Sequence, residues 1–139
     1  KKYGIKFYVA NNTSLLTKIK ADGLYISSHN KNLILNAYST KGFDIIGSAH
    51  NLRELDIKLK QGCKTVIYSR LFETKYTYKQ GHLGISKFNI ISLRTRVKLV
   101  PLGGINDENL CKLNIVNSES FACLSAIKKK PAKIINRLF

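Results

Sequence analysis

His50 stands two residues beyond Ser48, at the end of the apolar run Asp44–Ser48 and just ahead of a helix start. An imidazole there can move a proton between two atoms of a substrate. Taken alone, the same position also suits a histidine that merely precedes a helix. A second pattern is Gly103-Gly104, directly after the run Lys98–Leu102 and ahead of Asn106-Asp107-Glu108. Backbone N–H groups at such a strand end can converge on a phosphate, and glycine lets the anion come close. Ser125, heading the turn after the run Ser120–Leu124, can add an amide and a hydroxyl. An isolated Gly-Gly pair is equally a tight turn. His29 and His82 lack metal-type partner spacing and read as solvated loop residues. No metal site is expected from these residues.

The elements that must position these residues are legible in the pattern. Short runs rich in Ile, Val, Tyr and Phe recur at Ile5–Ala10, Leu24–Ser27, Asp44–Ser48, Thr65–Ser69, Lys98–Leu102 and Ser120–Leu124. Their nearly continuous apolar character is that of strands covered on both faces, as in a parallel sheet. Asn51-Leu52-Arg53-Glu54 is a capping-box-like helix start. Leu52, Leu55 and Leu59 follow at helical spacing, and Gly62 stands where a C′ glycine belongs. Asn106-Asp107-Glu108 opens another short helix, with acids in its first turn where the helix dipole favours them. Strand–helix alternation of this kind predicts right-handed βαβ units and an α/β fold. Arg70–Gly84 is the one long irregular stretch, and loops of that length are usually functional.

Six units in 139 residues is about 23 residues each. A closed (β/α)₈ barrel at that rate needs about 185 residues, close to the lower size limit of that fold. The pattern therefore fits an open doubly wound sheet or a barrel lacking two units. No linker, repeat or low-complexity tract divides the chain, so a single domain over residues 1–139 is expected.

Composition narrows the function classes. Hydrophobic residues make up 44% and charged residues 23%, a globular balance. The longest uncharged stretch is Phe7–Thr17, eleven residues including Asn11 and Asn12, well short of the roughly 18 a membrane span needs. Lys1-Lys2-Tyr3-Gly4 leads into strand-like sequence without the apolar core of a signal peptide, so the expectation is a cytoplasmic, non-membrane protein. The formal net charge of +16 comes from 24 basic residues, nineteen of them lysine, beside sixteen isoleucines and twelve asparagines. This looks like a bias spread along the chain. The one dense run is Lys128–Lys130, without aromatic interleaving, so a nucleic-acid ligand is disfavoured. A positive field still attracts phosphorylated metabolites. Cys63, Cys111 and Cys123 form no C-x-x-C pair and lie in apolar segments, as free buried thiols of a reducing compartment do.

Several segments, in order, resemble the thiamine phosphate synthase/TenI family. Phe7-Tyr8-Val9-Ala10-Asn11-Asn12 resembles its strand and "Asn-Asp-Arg" turn, and Ala21-Asp22-Gly23-Leu24-Tyr25-Ile26 its "Ala-Asp-Gly-Val-His-Leu" strand. Ile46-Gly47-Ser48-Ala49-His50-Asn51 resembles its "Gly-x-Ser-x-His" strand end. Phe72-Glu73-Thr74 is similar to its long loop, Leu102-Gly103-Gly104-Ile105 to its phosphate glycines, and Leu124-Ser125-Ala126-Ile127 to its closing "Val-Ser-Ala-Ile". The resemblance runs from Ile5 to Ile127. It implies a (β/α)₈ barrel of which this chain carries the third to eighth units. The first two, with the family's Gln-x-Arg-x-Lys stretch for pyrimidine pyrophosphate, are absent. A barrel lacking two units exposes strand edges, so a homodimer or a further N-terminal segment is expected.

The resemblance also implies roles. Gly103, Gly104 and Ser125 would bind the phosphate of a thiazole phosphate, Asn11, Ser48 and Thr74 would contact substrate, and His50 would move the proton in a tautomerase-type reaction. Departures from the family pattern lie in the metal site. Asn11 and the segment Ser27-Ser28-His29-Asn30 stand where synthases carry Mg²⁺-binding aspartates. Amides are weak ligands for a hard dication. In the loop Thr74 is kept, while the family's second Thr and its Lys fall on Tyr76 and Thr77, beside Lys75 and Lys79. The expectation is a thiazole-phosphate-binding, TenI-like protein of thiamine biosynthesis, of tautomerase type or a degenerate synthase, with no cofactor. Mg²⁺ enters only for an active synthase joining pyrimidine pyrophosphate to thiazole phosphate. A non-catalytic phosphate-ligand-binding relative and a basic nucleic-acid-associated module remain the alternatives.

Overall fold

The computed structural model describes residues 4–74 and 81–124. Ser125, Ala126, Ile127, Lys128–Lys130, Lys75, Tyr76, Thr77 and Lys79 lie outside the described residues. The chain forms two compact units, Lys1–Tyr68 and Ser69–Phe139.

In the first unit, β1 (Tyr8–Ala10), β2 (Gly23–Ile26), β3 (Asp44–Ala49) and β4 (Thr65–Ser69) follow one another with helices between. All pairings are parallel, in the register Tyr8↔Gly23↔Asp44 and Ile46↔Thr65. The intervening helices are α1 (Thr13–Lys18), a 3₁₀ turn at Leu33–Leu35 with α2 (Asn36–Thr40), and α3 (Leu52–Lys60). Leu24, Ile26 and Val66 are completely buried with Leu16 of α1, as strands covered by helices require. In the second unit, α4 (Ile85–Arg94) precedes β5 (Lys98–Leu102), and a 3₁₀ turn spans Leu110–Ile115. Its core contains Leu71, Phe88, Leu99, Ile105 and Val116.

The parallel α/β architecture and the strands at 44–48, 65–69 and 98–102 agree with the sequence expectation, β3 extending one residue further. The first run is shorter than expected. Ile5 and Phe7 are exposed, and the Phe7 N–H donates to the Asp22 carboxylate at 2.9 Å, so pairing starts only at Tyr8. The expected sixth strand is, among the described residues, a single parallel bridge between Ala122 and Leu102. Ser118 holds the chain in a polar turn before it, its hydroxyl meeting the carbonyls of Leu99 and Ser120, both at 2.7 Å. The described residues therefore hold five strands.

The helix expected to open at Asn106 is not formed there. Asn106 Oδ1 accepts from Glu108 N, and Asn109 Oδ1 accepts from Asn106 N, both at 2.9 Å. Such side-chain bonds offer the backbone a turn in place of a helix. The acids precede the 3₁₀ turn and do not occupy its first turn. Of the cysteines, Cys63 is buried, Cys123 half-buried and Cys111 exposed, so burial is confined to one of the three. All are free.

Candidate functional site

α3 begins as the capping pattern predicts, with one difference. Asn51 Oδ1 accepts from Glu54 N at 2.9 Å, and Asn51 Nδ2 donates to Glu54 Oε1 at 2.9 Å. The other carboxylate oxygen of Glu54 accepts from the backbone of His50, not of Asn51, at 2.8 Å. This fixes the backbone of His50 at the exit of β3, with the residue exposed. Gln61 closes the helix and Gly62 follows at φ 77°, the C′ glycine position.

Ser48 lies one turn of strand earlier and is buried, its Oγ accepting from the Tyr25 hydroxyl at 2.9 Å. Sequence reasoning did not assign Tyr25 a role. The signal was present, since Tyr25 occupies the histidine place of the "Ala-Asp-Gly-Val-His-Leu" resemblance.

Asn11 leaves β1 at φ 54°, a left-handed conformation that asparagine tolerates. Its N–H donates to Tyr25 O at 2.9 Å, which sets the side chain at the end of β1 against the residues after β2. Asn11 Oδ1 accepts from Ser27 N and from Asn30 Nδ2, both at 3.1 Å, while Asn11 Nδ2 donates to Ser27 Oγ at 3.1 Å. The result is a neutral rim of two amides and a hydroxyl. Asn12 caps α1, its Oδ1 accepting from Leu15 N.

This rim does not fit Mg²⁺. The acceptor of Asn11 is already engaged, no carboxylate takes part, and a hard dication prefers charged oxygens. Among the described residues no group of three His, Cys, Asp or Glu could hold a metal. His29 and His82 are exposed.

In the second unit, Arg70 Nη1 donates to Thr74 Oγ1 at 3.0 Å, which fixes the start of the long loop. The loop is pinned where it returns, by Leu83 N to Arg70 O at 2.9 Å and Gly84 N to Leu71 O at 3.0 Å. Gly103 and Gly104 both have positive φ, 103° and 70°. A Cβ on Gly103 would lie 2.5 Å from Arg70 Cγ, and one on Gly104 would lie 2.4 Å from the Glu73 carbonyl oxygen. Both glycines are therefore required by backbone conformation and by the close passage of residues 70–73. The N–H groups of Gly103 and Gly104 donate to no carbonyl of a described residue. The turn at Asn106–Asn109 separates them from the 3₁₀ segment, so an anion there would be held by loop amides without a helix terminus.

A parallel α/β chain with polar residues at the C-terminal ends of its strands belongs to the class in which ligands sit outside those ends. The profile of one family, "Thiamine monophosphate synthase", matches residues 1–127, and the chain belongs to that family. It is 28% identical over 128 residues to a thiamine-phosphate synthase of Prochlorococcus marinus, covering 91% of this chain and 37% of that protein. A thiamine-phosphate synthase of Methanococcus vannielii is 22% identical, with 90% and 61% covered. The chain thus spans between about a third and two thirds of the curated relatives' length. A thiamine phosphate pyrophosphorylase from Pyrococcus furiosus shares the fold, with a TM-score of 0.72 at 17% identity, covering 99% of this chain and 71% of that one.

Proposed function

We propose that this chain binds a phosphorylated thiazole in thiamine biosynthesis and acts as a metal-independent tautomerase-type isomerase. Gly103, Gly104 and Ser125 are assigned to the phosphate, Asn11, Ser48 and Thr74 to substrate contacts, and His50 to the proton. Aromatising a thiazole carboxyphosphate tautomer removes a proton from one carbon and places one on another, so nothing is lost and no redox partner is needed. The observation that carries this reading is the neutral rim of Asn11, Ser27 and Asn30, standing where a synthase needs carboxylates for metal-bound pyrophosphate. It is also supported by the N–H groups of Gly103 and Gly104, which donate to no backbone carbonyl among the described residues. The protein is expected to work in the cytoplasm.

The second reading is a Mg²⁺-dependent synthase joining pyrimidine pyrophosphate to thiazole phosphate, favoured by the names of the relatives. The test is aromatisation of the carboxyphosphate tautomer, read by coupled thiamine phosphate formation. His50→Asn should slow it about 10²–10⁴-fold with phosphate affinity unchanged. A chelator should not alter the wild-type rate. Mg²⁺-dependent coupling of the two substrates would establish the synthase instead. Phosphate binding without either activity would leave a non-catalytic relative.

A further inference from the structure

Lys58 is fully buried, on α3 of the first unit, and the reaction proposed above does not use it. Its stem packs against β3 where Gly47 has no side chain, since a Cβ there would lie 2.8 Å from Lys58 Cδ. Its ammonium donates to the backbone carbonyl of Asn30 at 2.7 Å and to Gln61 Oε1 at 2.8 Å. Gln61, also buried, donates from Nε2 to the carbonyls of Asn30 and Asn32, both at 3.0 Å. Lys58 of α3 and Gln61 at its C-cap thereby clamp the segment after β2.

Asn30 is held at every polar atom. Its N–H donates to Ser27 O at 3.1 Å, and its Oδ1 accepts from Asn32 N at 2.9 Å. Its Nδ2 donates to Asn11 Oδ1 at 3.1 Å. Asn11 Oδ1 thus accepts from two donors and Asn30 Oδ1 from one. Each side-chain NH₂ carries two hydrogens, and the described bonds use one on Asn11 and one on Asn30. The rim therefore keeps an amide hydrogen on each of Asn11 and Asn30 that no described bond uses, with a cation behind them. Donors and nearby positive charge suit an oxyanion and oppose a metal ion.

We propose that Lys58 is a positioning residue, which fixes Asn30 against Asn11 and biases this rim toward an oxyanion, carboxylate or pyrophosphate. The inference rests on the reading of Asn11 as a substrate contact. The groups facing the ammonium are Glu54 one turn earlier on α3, Cys63 just beyond the helix, and the uncharged Asn30 and Gln61. Among the described residues no carboxylate lies within ion-pair distance of it. Burial pushes its pKa below the ordinary lysine value, so its charge can be titrated away.

The test follows the side-chain amide NMR signals of Asn11 and Asn30 in the full chain, titrated without metal. Inorganic pyrophosphate and thiazole-2-carboxylate are used in separate arms, and the one that shifts these signals at lower concentration identifies the source of the oxyanion. In Lys58→Met, which keeps the stem and removes the charge, the affinity should fall about tenfold, the order of one pKa unit of interaction. Unchanged affinity in folded Lys58→Met overturns the proposal while leaving the rim a substrate contact. Wild-type amides unmoved by either anion overturn both. Should the variant not fold, wild type decides. Anion affinity must weaken as the Lys58 ¹³Cε signal reports deprotonation, and affinity independent of that ionisation overturns the proposal. So does Mg²⁺ that tightens binding at these signals.

Discussion

The Tyr25 hydroxyl donates to Ser48 Oγ at 2.9 Å, joining two neighbouring strands at the polar end of the sheet of the first unit. Ser48 is the serine of the "Gly-x-Ser-x-His" resemblance, so its orientation is set by a residue on β2, outside its own motif. Tyr25→Phe and Ser48→Ala should each cost about 0.5–1.5 kcal/mol, and the double variant no more than the larger single one. Urea midpoints check this, and simple additivity would mean that the bond contributes nothing.

Gly47 admits two side chains at once, Lys58 Cδ at 2.8 Å and Cys63 Sγ at 2.9 Å from where a Cβ would stand. Lys58 has no exposed route by which to yield. Gly47→Ala should destabilise the chain by about 1–3 kcal/mol, as overpacking does. Gly47→Ala with Lys58→Ala in the same chain should recover part of that loss. An unaltered urea midpoint for the single variant would show that the enclosure is loose.

Tyr8 reaches over Gly23 to donate to Asp44 Oδ2 at 2.6 Å, across three strands in register. Burial first, then the bond and the charge of Asp44, push its pKa from 10.0 to about 12. The folded state holds this proton more tightly than the unfolded chain. The associated stability is therefore fully present below pH 10.0 and lost as pH rises toward about 12. Tyr8→Phe should remove that part of the alkaline slope. Denaturation midpoints across the window test it, and identical slopes would refute the assignment.

Gly103→Ala meets both a positive φ of 103° and Arg70 Cγ at 2.5 Å. The expected cost is about 1–3 kcal/mol. Arg70→Ala in the same chain should relieve the contact and leave the backbone cost. Full recovery would show that conformation at Gly103 is unimportant, and no recovery that Arg70 is not the obstacle.

β3, β4 and β5 were legible because strands covered on both faces read as unbroken apolar runs, and Asn51 with Glu54 announces a helix start. The buried side of α3 was not. Leu52, Leu55 and Leu59 share helical spacing, yet Leu52 is 62% exposed and Leu59 38%, while Leu55 and Lys58 face inward. Gly47 on the facing strand makes room for a lysine stem, and a pattern of residue types along one helix carries no record of the strand opposite. The sixth strand failed for a related reason, since Ser118 spends its bonds on a turn that apolar periodicity does not register. The substitution of amides for carboxylates at Asn11 and Asn30 was visible, but the hydrogen bonds between them were not.

An amide rim carries a chemical clock that a carboxylate rim lacks. Hydrolysis of the side-chain amide of Asn11 or Asn30 would turn a neutral donor into a carboxylate, reversing the ligand preference of the rim without any change of gene. The residues that follow, Asn12 and Lys31, are not the glycine that most readily permits such ageing. The bonds tying Asn11 and Asn30 to each other and to Ser27 also restrain the backbone attack that begins it. The network that orients the rim is then also what keeps its charge from drifting over the lifetime of the molecule.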